Sequence, residues 1–190
     1  WADYRDLPAK RQNPFQIQKA FLDTLEDPGA FFRHPSEVPL SLADIYIYPD
    51  LKHIGASNEK AGYISSLKLL NPELTASGVL VEGEEKFGRT SLLYQLFAQY
   101  HDRGFVPVLI RGKNLRKRPE KDIDSALRRS VVEQYGNESV STFEQTEKSK
   151  KILLVDDFDD GPIKESQARA SMLCSLKNRF GHIVVTVGEL

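Results

Sequence analysis

The chain has a single cysteine, Cys174, among 190 residues. A lone thiol has no internal partner. That excludes a disulfide-stapled secreted domain and leads us to expect a reducing, cytoplasmic setting. No apolar run approaches the roughly 18 residues that a membrane span needs, so no membrane partner is expected. The polar start, Trp1-Ala2-Asp3-Tyr4-Arg5-Asp6, carries no signal-peptide pattern. Net charge is only −1, which gives no bulk drive toward nucleic acid, although local basic patches stay open. The four histidines (His34, His53, His101, His182) are scattered, with no His-x-x-x-His spacing, which argues against a transition-metal site. Cys174 falls on a helical pattern with no histidine near it in sequence, which gives it a core or neutral role. No Gly-x-Ser-x-Gly elbow, internal repeat or low-complexity tract is present.

What remains is ordinary soluble-protein composition: 40% hydrophobic and 28% charged residues. The length allows one domain, or one with a small appendage. The chain begins without methionine and stops at Gly188-Glu189-Leu190, just after a strand pattern, as a segment of a longer protein would.

Residues 1–13 are polar. Asn13-Pro14 reads as a helix start, with Phe15, Ile17, Phe21, Leu22 and Leu25 as its stripe and Asp27-Pro28-Gly29 as its stop. Residues 30–60 are irregular, broken by Phe31-Phe32-Arg33-His34-Pro35 and Val38-Pro39. Ile45-Tyr46-Ile47-Tyr48 is a strand candidate stopped by Pro49-Asp50. Gly55 to Lys60 reads as a loop or linker, and Tyr63 to Leu70 as a short helix ended at Asn71-Pro72.

From Gly78 the texture becomes alternating β and α. The strand patterns are 78–82, 105–110, 152–155 and 182–187. Pro107 marks an edge or a bulge in the second. The helix patterns run over Leu92–Tyr100, Ile123–Tyr135 and Ala168–Phe180, stopped by Gly104, Gly136 and Gly181. Residues 137–150 read as polar and exposed. Alternation of this kind predicts an α/β fold with a mostly parallel sheet and helices on both faces, whose ligands sit at the carboxyl ends of the strands.

Two motifs fall at such ends. Gly83-Glu84-Glu85-Lys86-Phe87-Gly88-Arg89-Thr90-Ser91 follows the first strand and opens a helix. It matches the phosphate-loop pattern G-x-x-x-x-G-K-[ST] except that Arg89 stands at the lysine. Gly83 and Gly88 would let backbone N–H groups wrap a phosphate, with the helix dipole behind them. Thr90 would place a hydroxyl on Mg²⁺. Arg89 keeps the charge, but a planar guanidinium is not a compact ammonium. Glu84 and Glu85 oppose a polyphosphate, and Lys86 partly offsets them. The same stretch also reads as a ligand-free glycine-rich turn.

The second motif is Ile152-Leu153-Leu154-Val155-Asp156-Asp157. Asp156 at the strand tip would hold magnesium through water, and Asp157 would orient an attacking water. The alternative is an acidic turn, the reading given to Asp159 and Asp160. The basic run Arg111-Gly112-Lys113-Asn114-Leu115-Arg116-Lys117-Arg118 lacks interleaved aromatics. It reads as a solvated loop, or as a contact to a nucleic-acid backbone or a partner.

On these residues, with Phe105–Ile110 and His182–Val187, the span 78–190 resembles the STAND-type P-loop ATPases, signal-transducing relatives of AAA+ proteins. The resemblance implies a P-loop NTPase core of ASCE-like type and ATP with Mg²⁺ as cofactors. It places Gly83, Gly88, Arg89, Thr90 and Ser91 in the phosphate loop and makes Asp156 and Asp157 the acidic pair. It casts residues 1–77 as the small helical or irregular connector that precedes such a core, with Tyr46 to Pro49 near the adenine. Thr186 reads either as a γ-phosphate sensor or as a plain strand residue. The family implies a nucleotide-dependent switch between effector and sensor domains of one longer chain, with homo-oligomers and roles in signalling and antiphage defence. The departure at Arg89 implies weak hydrolysis. The family's sensor arginine and helical lid have no counterpart here. The expectation is therefore an ATP- and Mg²⁺-binding switch module. Its rivals are a non-catalytic scaffold and an AAA+-like ATPase associated with nucleic acid.

Overall fold

A computed structural model describes residues 13–30, 39–54, 62–115 and 119–188, with side chains omitted at 119–122. The polar start at 1–12, the break at 31–38, the loop 55–60 and Arg116-Lys117-Arg118 of the basic run lie outside the described residues.

The N-terminal part contains α1 (Lys19–Glu26), α2 (Leu42–Ile45), the antiparallel pair β1 (Asp50–Lys52) and β2 (Tyr63–Ser65), a 3-10 turn Ser66–Leu70, and α3 (Pro72–Ala76). The α/β part follows as β3 (Val79–Glu82), α4 (Arg89–Asp102), β4 (Val106–Arg111), α5 (Pro119–Tyr135), α6 (Ser139–Gln145), β5 (Lys151–Asp156), α7 (Ser166–Lys177) and β6 (His182–Val187). The four later strands form one parallel sheet in the order β3-β6-β5-β4. The expected α/β fold with a parallel sheet and flanking helices is therefore present. Every residue of β5 and β6 is buried, as continuous apolar strands covered on both faces require. From β3 the chain crosses the whole sheet to β4 and then steps back through β5 to β6. By the right-handed crossover rule this order assigns α4 to one face and α5 and α7, which contact each other, to the other. No helix among the described residues is long and apolar enough to cross a membrane.

β4 is an edge strand, and its outer side is closed by α5. Gln134 Oε1 accepts from Leu109 N–H at 3.1 Å, and Gln134 Nε2 donates to Leu109 O at 2.6 Å. Tyr135 Oη donates to Pro107 O at 2.6 Å. Pro107 and Leu109 share this outward side, so the missing proline N–H costs no ladder bond.

Several local expectations fail for identifiable reasons. Asn13 does not start a helix. Its Oδ1 accepts from Phe15 N–H, and its Nδ2 donates to His101 O (3.0 Å) and Phe105 O (2.7 Å). Asn13 is thus a tether that delivers Phe15 to the core, and α1 starts only at Lys19. Ile45 to Tyr48 is not a strand. Ser41 and Asp44 form a capping box that winds Leu42–Ile45 into a helical turn, and pairing begins only after Pro49. Tyr63 to Leu70 splits into β2 and the 3-10 turn. Asn71 does end it, and also caps α3, accepting from Glu73 N–H at 3.1 Å with Pro72 at the first helical position. The polar stretch 137–150 holds α6, because Val140 and Phe143, three residues apart, are both buried. Cys174 is exposed, so it has no core role.

The N-terminal part packs into the core of the sheet. Phe15, Phe21, Leu25, Leu69 and Leu70 belong to the same buried cluster as the strands. Phe21 meets Phe97 edge-on with ring centroids 5.1 Å apart, and Phe15 meets Tyr135 at 5.4 Å.

Candidate functional site

The two motifs meet at the carboxyl edge of the sheet. β3 runs into Gly83, whose N–H donates to Val187 O at 3.2 Å. The chain then leaves the sheet as an exposed turn over Glu84–Gly88. Lys86 at its tip has φ 69° and Gly88 has φ 79°, so two left-handed residues curl the backbone before α4. No side chain caps the first turn of α4. Its free N–H groups open onto the loop, the arrangement that suits an anion.

β5 brings Asp156 to the same place. Its carboxylate is 3% exposed and accepts from Thr90 Oγ1 at 3.0 and 3.3 Å. Those residues are 66 positions apart in sequence. Between β3 and β5 lies β6, which contributes Thr186. Thr186 Oγ1 lies 3.2 Å from Asp156 Oδ1 and accepts from Asp157 N–H at 3.0 Å. The Thr186 hydroxyl thus links the Asp156 carboxylate to the Asp157 backbone N–H.

Asp157 leaves the strand with φ 48° and ψ 58°, a left-handed conformation that Asp tolerates better than most residues. Its Oδ1 lies 3.0 Å from Arg89 Nη2. The contact is an ion pair without hydrogen-bond alignment, and Arg89 Nη1 is buried with no acceptor among the described residues. Burial raises the carboxyl pKa of Asp157 above its usual 3.8, and the neighbouring Asp156 charge adds to the effect. Arg89 opposes the rise, while Asp160 and Asp159 add smaller increments. The aliphatic stem of Arg89 crosses Gly83, where an added Cβ would sit 3.6 Å from Arg89 Cδ.

Three residues that the motif reading passed over complete the cleft: Arg111, Gly112 and Lys113 line it with Thr90, Asp156, Asp157 and Asp160. Arg111 is the sheet neighbour of Asp156 and donates from Nη2 to Tyr94 Oη at 3.5 Å. That bond, then the nearby negative charges, outweigh burial and hold its pKa above the usual arginine value. Gly112 allows the closest approach in the site, since a Cβ there would meet Asp157 O at 2.1 Å. A glycine directly after a strand was the available signal. The first half of the basic run is thus part of the cleft.

The remaining predicted residues are more peripheral. Lys86 is exposed, Ser91 is half-buried on the first turn of α4, and neither bonds to the acidic pair. Asp159 is a turn residue as expected, accepting from Gly188 N–H at 3.0 Å. Tyr46 and Tyr48 pack edge-on, 5.1 Å apart, against the core and do not line the cleft.

The oxygen donors of Thr90 and Asp156 fit magnesium, which favours hard oxygen ligands and takes few of them from protein. The Thr90 proton points to Asp156, which leaves the Oγ1 lone pairs for a cation. No cage of three or more His, Cys, Asp or Glu side chains forms among the described residues. Any ion here would depend on ligand oxygens and water. No protein-family profile matches the chain, and no curated protein matches it.

Proposed function

We propose that the carboxyl-edge cleft binds a nucleoside triphosphate with magnesium, ATP by the resemblance, as the switch module of a longer signalling or defence protein. The observation that carries this reading is the Thr90–Asp156 hydrogen bond. A hydroxyl that opens a glycine-bounded loop and a carboxylate that ends a buried strand come within 3.0 Å. Phosphate and magnesium chemistry needs those two groups together. Gly83, Gly88 and the α4 N-terminus would cradle the phosphates, with Thr90 and Asp156 toward the metal and Arg89 toward phosphate oxygens. Bound magnesium would neutralise charge developing on the phosphates.

The cleft is about 170 Å³, below the range typical of ligand pockets. Asp157 lines it, with its carboxylate paired to Arg89. Binding a triphosphate exchanges the Asp157 partner of Arg89 for phosphate and frees Asp157 to orient water. The exchange gives the switch a physical basis: one cation, two competing anions. Calorimetry with ATP and Mg²⁺ tests it. The wild type is expected to bind and Asp156→Ala is not. Absence of binding to the folded wild-type chain retires the reading.

The same ion pair favours a second reading, a non-catalytic scaffold in which Arg89 and Asp157 lock each other permanently. It predicts no turnover and no nucleotide response from the wild type, with binding gained only when Arg89→Lys releases the lock.

A further inference from the structure

A second cavity does not lie at the carboxyl edge. It holds about 440 Å³ and lies at the opposite end of the sheet, where β5 begins with Lys151. Five strand steps at about 3.3 Å separate Lys151 from Asp156, roughly 17 Å, so the two sites do not overlap. The volume falls within the usual range for small-molecule sites.

The lining has two parts. α5, α6 and the turn after α7 supply an apolar floor that includes Val131, Phe143 and Phe180. The polar part is cationic on balance: Arg128, Lys151 and Arg179 against Asp124 and Glu144. Arg179 is already paired with Asp124. Arg128 makes no ion pair among the described residues and is exposed at the rim.

Lys151 is the unusual member. Only 8% of it is exposed, although it opens a strand end. Its ammonium lies 4.6 Å from the centre of the Phe143 ring and, among the described residues, makes one long hydrogen bond, 3.4 Å, to Glu144 O. A lysine ammonium has three donors. Two therefore remain for a ligand, beside an aromatic surface. Burial is the largest influence on its pKa and lowers it, ahead of the Glu144 carboxylate that raises it. An unmatched cation is costly in such a place, and an anion would offset the cost.

We propose that this cavity is a second binding site, for a small organic carboxylate whose apolar body packs on Phe143 and Phe180 and whose carboxylate is taken by Lys151 and Arg128. A polyphosphate does not suit it, because the floor is apolar and the uncompensated charge is small. The inference does not depend on the nucleotide reading.

Calorimetry with 2-naphthoate and with neutral 2-naphthamide on the full chain tests it. Naphthoate is expected to bind saturably with one site, at least tenfold tighter than the amide. Lys151→Met and Arg128→Met should each weaken naphthoate about tenfold and leave the amide unchanged. Arg128 is at the rim, so its variant keeps the fold even if the Lys151 variant does not. Asp156→Ala should bind naphthoate as the wild type does. Equal affinity for acid and amide, no binding of either, or full affinity in Arg128→Met overturns the proposal.

Discussion

Arg89 Nη2 stands 3.0 Å from Asp157 Oδ1, so the cation at the lysine position of the proposed phosphate loop is paired with the carboxylate next to the proposed magnesium ligand. The side chains are 14% and 34% exposed, and the pair reaches across from the first residue of α4 to the end of β5. A lysine has a shorter overall reach and no planar fork, so it cannot reproduce this contact. The guanidinium therefore does more than supply charge: it sets which groups in the cleft are free.

Arg89→Lys is accordingly expected to open the cleft. A partly exposed ion pair contributes up to about 1 kcal/mol, so its loss should tighten ATP binding by as much as about fivefold. Calorimetry in the presence of Mg²⁺ reads this directly. Weaker binding in Arg89→Lys than in the wild type would show that the guanidinium itself, and not its release, holds the phosphates.

Asp156→Asn should abolish the magnesium-dependent part of ATP binding while the backbone at the end of β5 is retained. Both threonine hydroxyls near Asp156 lose a charged acceptor, at a stability cost of about 1–3 kcal/mol. Titration with ATP, with and without Mg²⁺, should give equal affinities in this variant. A persistent magnesium effect would place the ion elsewhere.

The α/β part was legible because its signals were redundant. Ile152 to Val155 is apolar throughout, and Gly104 and Gly136 stop their helices at φ 80° and 90°. Each element agreed with its neighbours. The N-terminal part was misread where one side chain overrode a local pattern. Asn13 looks like a helix cap in sequence, but its bonds go to His101 O and Phe105 O, some 90 residues away. Ile45 to Tyr48 alternates like a strand, but pairs with no strand among the described residues. In the site, Thr90 and Asp156 could be paired from sequence because both belong to motifs. Gly112 could not, since its role is set by the Asp157 carbonyl that approaches it in space.

Gly112→Ala tests that approach. The added methyl would have to displace Asp157 O or Phe158 Cα, which it would otherwise meet at 2.1 and 2.6 Å. Both are backbone, so the strain cannot be relieved by a rotamer change. A loss of about 1–3 kcal/mol is expected in chemical denaturation. ATP affinity should fall as well, because Asp157 moves. Wild-type stability in this variant would mean that the turn Phe158–Asp160 is not held against β4.

Thr186→Val preserves shape and removes one oxygen. Asp157 N–H then loses its acceptor and Asp156 Oδ1 one of its donors; the donor is only part-buried, so the cost is about 1 kcal/mol. Any turnover should fall more than ATP affinity does, since the Asp157 backbone loses its acceptor, whereas Asp156 loses one hydroxyl partner and keeps Thr90. Parallel denaturation and turnover measurements check both halves. Equal loss of binding and turnover would point to a collapsed β6 end instead.

The ionisation of Asp157 gives a prediction with a definite sign. Burial and Asp156 raise its pKa above 3.8, so the folded protein holds this proton more tightly than the unfolded chain does. The stability contributed by the protonated form is fully present below about pH 3.8 and is lost as pH rises through the folded value. Above that value the ionised carboxylate opposes folding, in part offset by Arg89. Asp157→Asn removes the ionisation, so it should be more stable than the wild type at neutral pH. The difference should shrink as the pH is lowered toward 3.8. Denaturant midpoints of both proteins across this range measure it. A variant less stable than the wild type at pH 7 would mean that the Arg89 attraction outweighs burial and the Asp156 charge. The ion pair would then be a net stabiliser of the closed cleft, and ATP would have to overcome it.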